Sequence, residues 1–450
     1  MKPIFLNENK HYTFAELIHF FESEDTEPFI QECLNRGIAQ KKHNTISFQY
    51  VGIIIFHQQL ILFLPKYLHE PLDHYNKIAK IKQIIRVLKI YSKGAVTEEE
   101  LEFFGDFQQG ELYNYFLAID YFINDYIEYG LYNTDKIEWV LDGQGEVDWQ
   151  QTIDYQFAYL SKEQSPIYLD LVTEEILTDQ KHIIIEIHKA ILNECSEYLT
   201  VTGIGELLDY PSVIFPTDVQ LSKNRDYLLK KINDALYQDY NDRNLTLLNS
   251  MYKYISQNDA FLMENRVVFF GTRRFHTVWE KCCASVMGHD GEIVKNILKP
   301  VWTNFIIKDN DKDTLVPDIL KKLCIYNMKL LLIIDAKYYD LSFTNFRVVH
   351  NPGIQDVIKQ YMYEKALHSY IESEKIDYWF NLFLFPTSSH TKFNTGEVSI
   401  SFLSELKNIN LIKLPAEEIF EKYITFRKWN NEDWEIFINV IKTPSIVNTI

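Results

Sequence analysis

The chain has 450 residues, 46% hydrophobic, 15% aromatic and 24% charged: a globular composition with enough length for roughly two to four domains. Its net charge of −18 argues against a free-standing nucleic-acid binder, because such affinity comes largely from Lys and Arg neutralising phosphates; a protein brought to DNA by a partner, or one with its cations in a single cleft, remains compatible. The cysteines Cys33, Cys195, Cys282, Cys283 and Cys324 form no CxxC pair, which speaks against a disulfide framework or structural zinc site and for a reducing cytoplasm.

Met1-Lys2-Pro3-Ile4-Phe5 lacks the apolar stretch of a signal peptide. Thr45 to Val51 and Gly52 to Pro65, rich in β-branched and aromatic residues, read as strands. The same apolar run is interrupted by His57, Gln58 and Gln59, too soon to span a bilayer, so no membrane role is expected. Ile78, Ile81, Ile84, Ile85 and Leu88 recur at helical spacing and predict a helix over Lys77 to Tyr91. Thr97 is a plausible cap for a further helix, and another is expected from Gly110 to Tyr129.

The short polar stretch Leu141 to Glu146 is the best candidate boundary. Beyond it, Thr173 to Leu199 and Lys223 to Ser256 read as mainly helical. From residue 257 the pattern changes. A helix around Phe275 to Met287 precedes a strand-like Val301 to Lys308, an acidic turn from Asp309 to Asp313, two strands, a long helix from Gly353 to Ser373 and a strand at Tyr378 to Phe385. The expected class is α/β, mixed α+β overall. Residues 1–145 would be an N-terminal α+β domain, 146–256 a largely helical connector, and 257–450 a mixed sheet flanked by helices.

The chemistry is concentrated in Val316-Pro317-Asp318-Ile319-Leu320 and Leu330-Leu331-Leu332-Ile333-Ile334-Asp335-Ala336-Lys337. Five consecutive Leu and Ile residues predict a strand buried on both faces, and burying an acid at its end is costly without a partner or a metal. With Tyr326-Asn327 as a two-residue hairpin loop, Asp318 falls opposite Asp335, with Cβ atoms about 4.5–5.5 Å apart on one face. Lys337, two residues on, shares that face. Two adjacent carboxylates repel unless a cation lies between them. Asp318, Asp335 and the carbonyl of Ala336 would supply oxygen ligands suited to Mg²⁺, and Lys337 would orient a water or offset charge on a phosphate. A plain buried salt bridge between Asp335 and Lys337 is the competing reading.

These residues resemble the PD-(D/E)xK nuclease superfamily: Pro317-Asp318 matches its first half and Asp335-Ala336-Lys337 its second. The resemblance implies a restriction-endonuclease-like core, a metal-binding glutamate on the preceding helix, for which Glu280 fits, and a helix bearing Gln360 beyond the second strand. The usual Gln-x-x-x-Tyr spacing is absent, since Glu364 stands four after Gln360, so a solvated Gln360 is the alternative. Val51-Gly52-Ile53-Ile54, Leu64-Pro65-Lys66-Tyr67 and Val147-Asp148-Trp149 resemble a narrower group, the LlaJI-type restriction endonuclease subunits related to McrC-like nucleases. That group implies a Mg²⁺-dependent endonuclease acting on double-stranded DNA with a McrB-like AAA+ GTPase, onto which the N-terminal part docks. The chain has no GxxxxGK[ST] motif of its own, consistent with a separate motor. An activator or scaffold subunit without cleavage, and a self-sufficient type II enzyme, are the other readings. Arg273 and Arg274, just before the Glu280 helix, read either as phosphate contacts or as surface residues.

Overall fold

The computed structural model describes residues 3–21, 25–68, 73–94, 106–108, 111–133, 135–178, 183–257, 267–297, 301–303, 308–310, 315–344 and 347–442. They form two compact units, one of residues 2–112 with 267–450 and one of residues 113–266. The first is therefore discontinuous in sequence.

Its N-terminal sheet holds β1 (Ile4–Asn7), β2 (Val51–Phe56), β3 (Gln59–Leu64) and β4 (Val268–Thr272), in the order β1-β3-β2-β4. The stretch expected to be one strand from Gly52 to Pro65 is a hairpin. His57 and Gln58 both take positive φ, 45° and 67°, the two-residue turn whose twist matches its flanking strands. β4 then returns to pair antiparallel with β2, Gly271 opposite Gly52. A Cβ on Gly52, at φ 141°, would stand 2.3 Å from the Phe270 carbonyl oxygen, and one on Gly271 would stand 2.4 Å from that of Val51. Only glycine permits this approach. Leu6, Phe29, Phe48, Phe63 and Phe269 fill the core beneath the sheet.

α1 (His74–Ser92) follows, its first turn capped by Asp73, whose carboxylate accepts the Asn76 N–H. Its buried Ile81, Ile84, Ile85 and Leu88 bear out the helical spacing. The helix expected at Thr97 lies outside the described residues.

α2 (Phe275–Met287) occupies the predicted span. The C-terminal sheet is built from β5 (Ile319–Ile325), β6 (Met328–Ala336), β7 (Tyr378–Thr387), β8 (Phe393–Val398) and β9 (Ile409–Pro415), in the order β5-β6-β7-β9-β8. β6, β7 and β9 run parallel, while β5 and β8 are antiparallel edges. Leu330 to Ile334 are essentially sealed from solvent, as the five-residue apolar run predicts. At about 1.5–3 kcal/mol per buried aliphatic side chain, this strand contributes on the order of 10 kcal/mol, enough to hold an acid at its end. α3 (Ile354–Ala366) packs Tyr363 against Leu331 and Ile333, and Val357 and Tyr361 against Phe383 and Leu411. The long helix expected to reach Ser373 breaks at Leu367 and resumes as His368–Ser373. α4 (Ala416–Ile424) lies on α1, where the Gln83 side chain donates to the Glu417 carbonyl at 3.0 Å and Lys80 pairs with the Glu417 carboxylate. Of the expected strand from Val301 to Lys308, Val301–Thr303 is described; it pairs with Lys308–Asn310, which takes up the start of the expected acidic turn.

In the second unit, the expected boundary at Leu141 to Glu146 is a turn inside a three-stranded sheet of Asp135–Leu141, Glu146–Val147 and Val172–Thr178. The helix expected from Gly110 starts at Tyr115, because Asn114 caps it through the Leu117 N–H. Thr173 to Leu199 divides into the strand Val172–Thr178 and the helix Ile183–Thr202. The β-branched Val-Thr-x-x-Ile pattern finds a partner strand at Asp135–Leu141, and that pairing overrides local helical preference. Helices Arg225–Leu236 and Asp242–Ser256 complete the unit, so it is helical mainly from residue 183 onward.

Candidate functional site

The β5–β6 hairpin turns at Tyr326 and Asn327, with φ of 54° and 60°, and pairs Ile319 with Ile334. This is the predicted register. Asp318 continues it by one step: its Oδ2 accepts the Ala336 N–H at 2.7 Å, so the carboxylate takes over a ladder bond where the strand ends. Asp335 is 3% exposed on the face that carries Leu331 and Ile333. Its Oδ2 lies 2.9 Å from Lys337 Nζ, an ion pair without the alignment of a hydrogen bond, and that oxygen is otherwise orphaned among the described residues. Lys337 Nζ also reaches Asp356 Oδ1, in the first turn of α3, at 2.9 Å. The expected salt bridge therefore exists, but the lysine is shared between two acids.

The charges do not balance. Burial, then the neighbouring Asp335 and Glu280, push Asp318 up to about 8. Burial and Asp335 push Glu280 up to about 7, against the pull of Lys337 and Lys359. Burial works against the Lys337 charge, yet Asp335 and Asp356 outweigh it and hold the amine above its ordinary range. Carboxyls that retain protons near neutral pH beside an ionised amine form a site short of positive charge.

Glu280, Asp318, Asp335 and Lys337 are thus brought within electrostatic reach of one another, as the sequence suggests. Among the described residues, however, no three acidic, imidazole or thiol side chains stand close enough to cage an ion already. Mg²⁺ needs no such cage, since it commonly keeps several waters and takes one or two carboxylates. The hard oxygens of Asp318 and Asp335, one of them orphaned, fit that demand. Ala336 contributes its N–H to Asp318.

Gln360 is not solvated. It is fully buried, and its Nε2 donates to the Ile333 carbonyl at 3.0 Å and to Asn381 Oδ1 at 2.6 Å, joining α3 to β6 and β7. It braces the strand two residues before Asp335. Glu364, one turn on, is also buried and accepts from Trp379 Nε1 and Asn381 Nδ2, so the departure from the Gln-x-x-x-Tyr pattern serves the same brace.

Sequence reasoning missed Glu8, Lys66, Asp356 and Tyr338. Tyr338, next to Lys337, donates its hydroxyl to Glu8 Oε2 at 2.5 Å. The same oxygen accepts the Lys66 N–H at 3.1 Å. Only Asp356 carried a signal, an acid in the first turn of a helix facing the site; the others meet through the N-terminal sheet. Between the two sheets runs a cleft of about 400 Å³, lined by Glu8, Asn9, Lys66, Arg273, Glu280 and Lys337, among others. Arg273 also donates to the Arg36 carbonyl at 3.2 Å, which ties it to the N-terminal sheet.

The sequence profile of the LlaJI restriction endonuclease family matches residues 50–417. The chain belongs to that family. LlaJI membership supports a DNA endonuclease working in a restriction system. A component of the type II restriction enzyme BsuMI, YdjA of Bacillus subtilis (strain 168), is 31% identical over 418 residues, 90% of this chain and 87% of that protein. Two solved assemblies of Thermococcus gammatolerans also superpose on it. One is a half-complex from a tetradecameric assembly of McrB AAA+ hexamers with bound McrC, at 14% identity and a TM-score of 0.38, covering 94% of this chain and 99% of that one. The other is the McrBC complex, at 15% and 0.26, covering 66% and 89%. The LlaJI match includes Lys66, Glu280, Asp318, Asp335, Lys337 and Gln360 and leaves Glu8 outside it. Among the described residues of this LlaJI-family chain, no helix is long and apolar enough to cross a membrane.

Proposed function

We propose that this LlaJI-family chain is a PD-(D/E)xK endonuclease subunit that hydrolyses phosphodiester bonds of double-stranded DNA with a divalent metal, Mg²⁺ by the chemistry of its ligands. The observation that carries the reading is the Asp318–Asp335 pair, held on one side of the hairpin next to an ammonium and short of positive charge. A bound divalent cation acidifies a water and offsets charge on the phosphate. Asp318 and Asp335 would hold it, with Glu280 and the Ala336 carbonyl as further oxygen donors. Lys337, kept protonated by Asp335 and Asp356, presents a positive charge to phosphate oxygens and is therefore not the general base. Gln360 positions β6 through the Ile333 carbonyl.

A separate AAA+ GTPase of the McrB type is the proposed partner. The acidic balance of the chain supports delivery to DNA by another protein, and the Bacillus subtilis relative is itself named a component of its enzyme. In this reading the N-terminal part docks the motor, and the hydrolytic centre lies in the unit made of residues 2–112 and 267–450, whose bounds replace the expected divisions at 145 and 256.

The test is cleavage of duplex DNA by the full chain, with its motor where needed, comparing wild type, Asp335→Asn and Lys337→Ala. Cleavage is expected to vanish in both variants and on chelation of divalent ions. Wild-type rates in both variants refute the assignment.

A further inference from the structure

The cleft beside Glu280 and Lys337 is not made by the C-terminal sheet alone. Lys66, just past β3 of the N-terminal sheet, lines it. Lys66 also lines an adjoining hollow of about 510 Å³ with Lys10, Asp340 and His350. The two hollows share Glu8, Asn9, Lys66 and Tyr339, so this lysine stands where the cleft that holds Glu280 and Lys337 adjoins the second hollow.

The setting of Lys66 differs from that of Lys337. Its Nζ lies 4.4 Å from the centroid of the Tyr338 ring and 5.7 Å from that of Tyr339. Aromatic faces hold an ammonium in place without cancelling its charge. Glu8, the nearest acid in the fold, spends one oxygen on the Tyr338 hydroxyl and the Lys66 backbone N–H. Among the described residues no carboxylate oxygen forms an ion pair with Lys66 Nζ; Glu8 and Asp340 act on it only from farther off. Partial burial lowers its pKa, against the pull of Glu8 and Asp340. In a chain of net charge −18, an oriented lysine that lines a cleft without an ion pair is specifically placed rather than part of a general basic surface.

We propose that Lys66 binds a backbone phosphate of the DNA strand entering the cleft, so that the N-terminal sheet supplies part of the substrate site. This rests on the nuclease reading for the identity of the polyanion. It also gives the N-terminal segment a part in holding substrate that docking alone does not require.

The experiment measures binding of a fluorescent duplex by full-length protein, in Ca²⁺ and at salt concentrations from 50 to 200 mM. Wild type, Lys66→Ala, Lys66→Gln and Lys66→Arg are compared, with melting curves as a check on folding. Lys66→Gln keeps half of the aliphatic stem should Lys66→Ala fail to fold. Loss of one phosphate contact lowers the slope of log K against log salt by about 0.9, and weakens binding about eightfold at 0.1 M salt. Lys66→Arg should restore most of both. An unchanged slope and affinity in Lys66→Gln, or no binding by wild type, overturns the proposal. Cleavage by Asp335→Asn is scored in parallel: an active Asp335→Asn removes the nuclease reading, whereas an inactive one with an unaffected Lys66→Gln removes only this inference.

Discussion

Replacing Asp318 by asparagine should make the metal-free protein more stable, although it removes a proposed ligand. In the unfolded chain this carboxyl loses its proton near its ordinary value of 3.8; in the folded site it keeps the proton up to about 8. Between those values the folded state binds the extra proton, so stability falls as pH rises, by about 1.4 kcal/mol per pH unit. By pH 7 the accumulated cost is on the order of 4 kcal/mol, an upper bound because side-chain relaxation and entering water reduce it. Asparagine retains an oxygen for the Ala336 N–H that Asp318 now accepts at 2.7 Å, and it does not titrate. Wild type and Asp318→Asn should therefore melt alike near pH 4, with the variant gaining steadily toward pH 8. Scanning calorimetry in chelator is the assay, following the transition of the unit that carries the site, since the chain has two compact units. Divalent metal should then narrow the gap, because wild type gains about 2.7 kcal/mol at a hundred times its Kd and the variant gains far less. A melting difference that stays constant from pH 4 to 8, or turns against the variant at pH 8, refutes the idea that these carboxylates lack a counter-charge.

The same carboxyls set the pH dependence of metal binding. Glu280 near 7 and Asp318 near 8 must give up protons to coordinate an ion, so affinity should climb as pH rises through that window and binding should release protons. Calorimetric titration in two buffers of different ionisation heat measures the release, and identical heats in both at pH 6.5 would contradict it. Tyr338→Phe should cost about 1–3 kcal/mol, because it withdraws a donor from the buried Glu8 carboxylate. It should also slow single-turnover cleavage by loosening the chain next to Lys337, and a variant that matches wild type in both melting and rate would show the contact to be idle.

The hairpin was legible from sequence because its information is local. Tyr326 and Asn327 leave room for only a two-residue turn between two runs, and the side-chain period of two then fixes which residues face Asp335. The span of α2 was legible for the same reason. What sequence hid is long-range. β4 pairs with β2 across more than two hundred residues, and neither Gly52 nor Gly271 announces the other. Glu8 and Lys66 reach the cleft only because that pairing brings the N-terminal sheet there. Val172–Thr178 carries Glu-Glu-Ile-Leu at its centre, which suits a helix as well as a strand until Asp135–Leu141 is found beside it. The solvated alternative for Gln360 fails for a related reason: a polar residue on a helix is buried only when a carbonyl and an amide wait for it, here those of Ile333 and Asn381.

Residues 113–266 interrupt the other unit in chain order between β3 and β4 of its N-terminal sheet, and this makes the protein a host with a guest. The residues proposed for hydrolysis, their braces and the cleft lysine all belong to the host. A cut at residue 267 does not liberate a minimal nuclease: it leaves β4 without β2 and opens two glycines to water where a backbone had been. Excising the guest removes none of these contacts. The chain therefore has a natural seam, along which the inserted segment joins the host without entering either of its two large sheets.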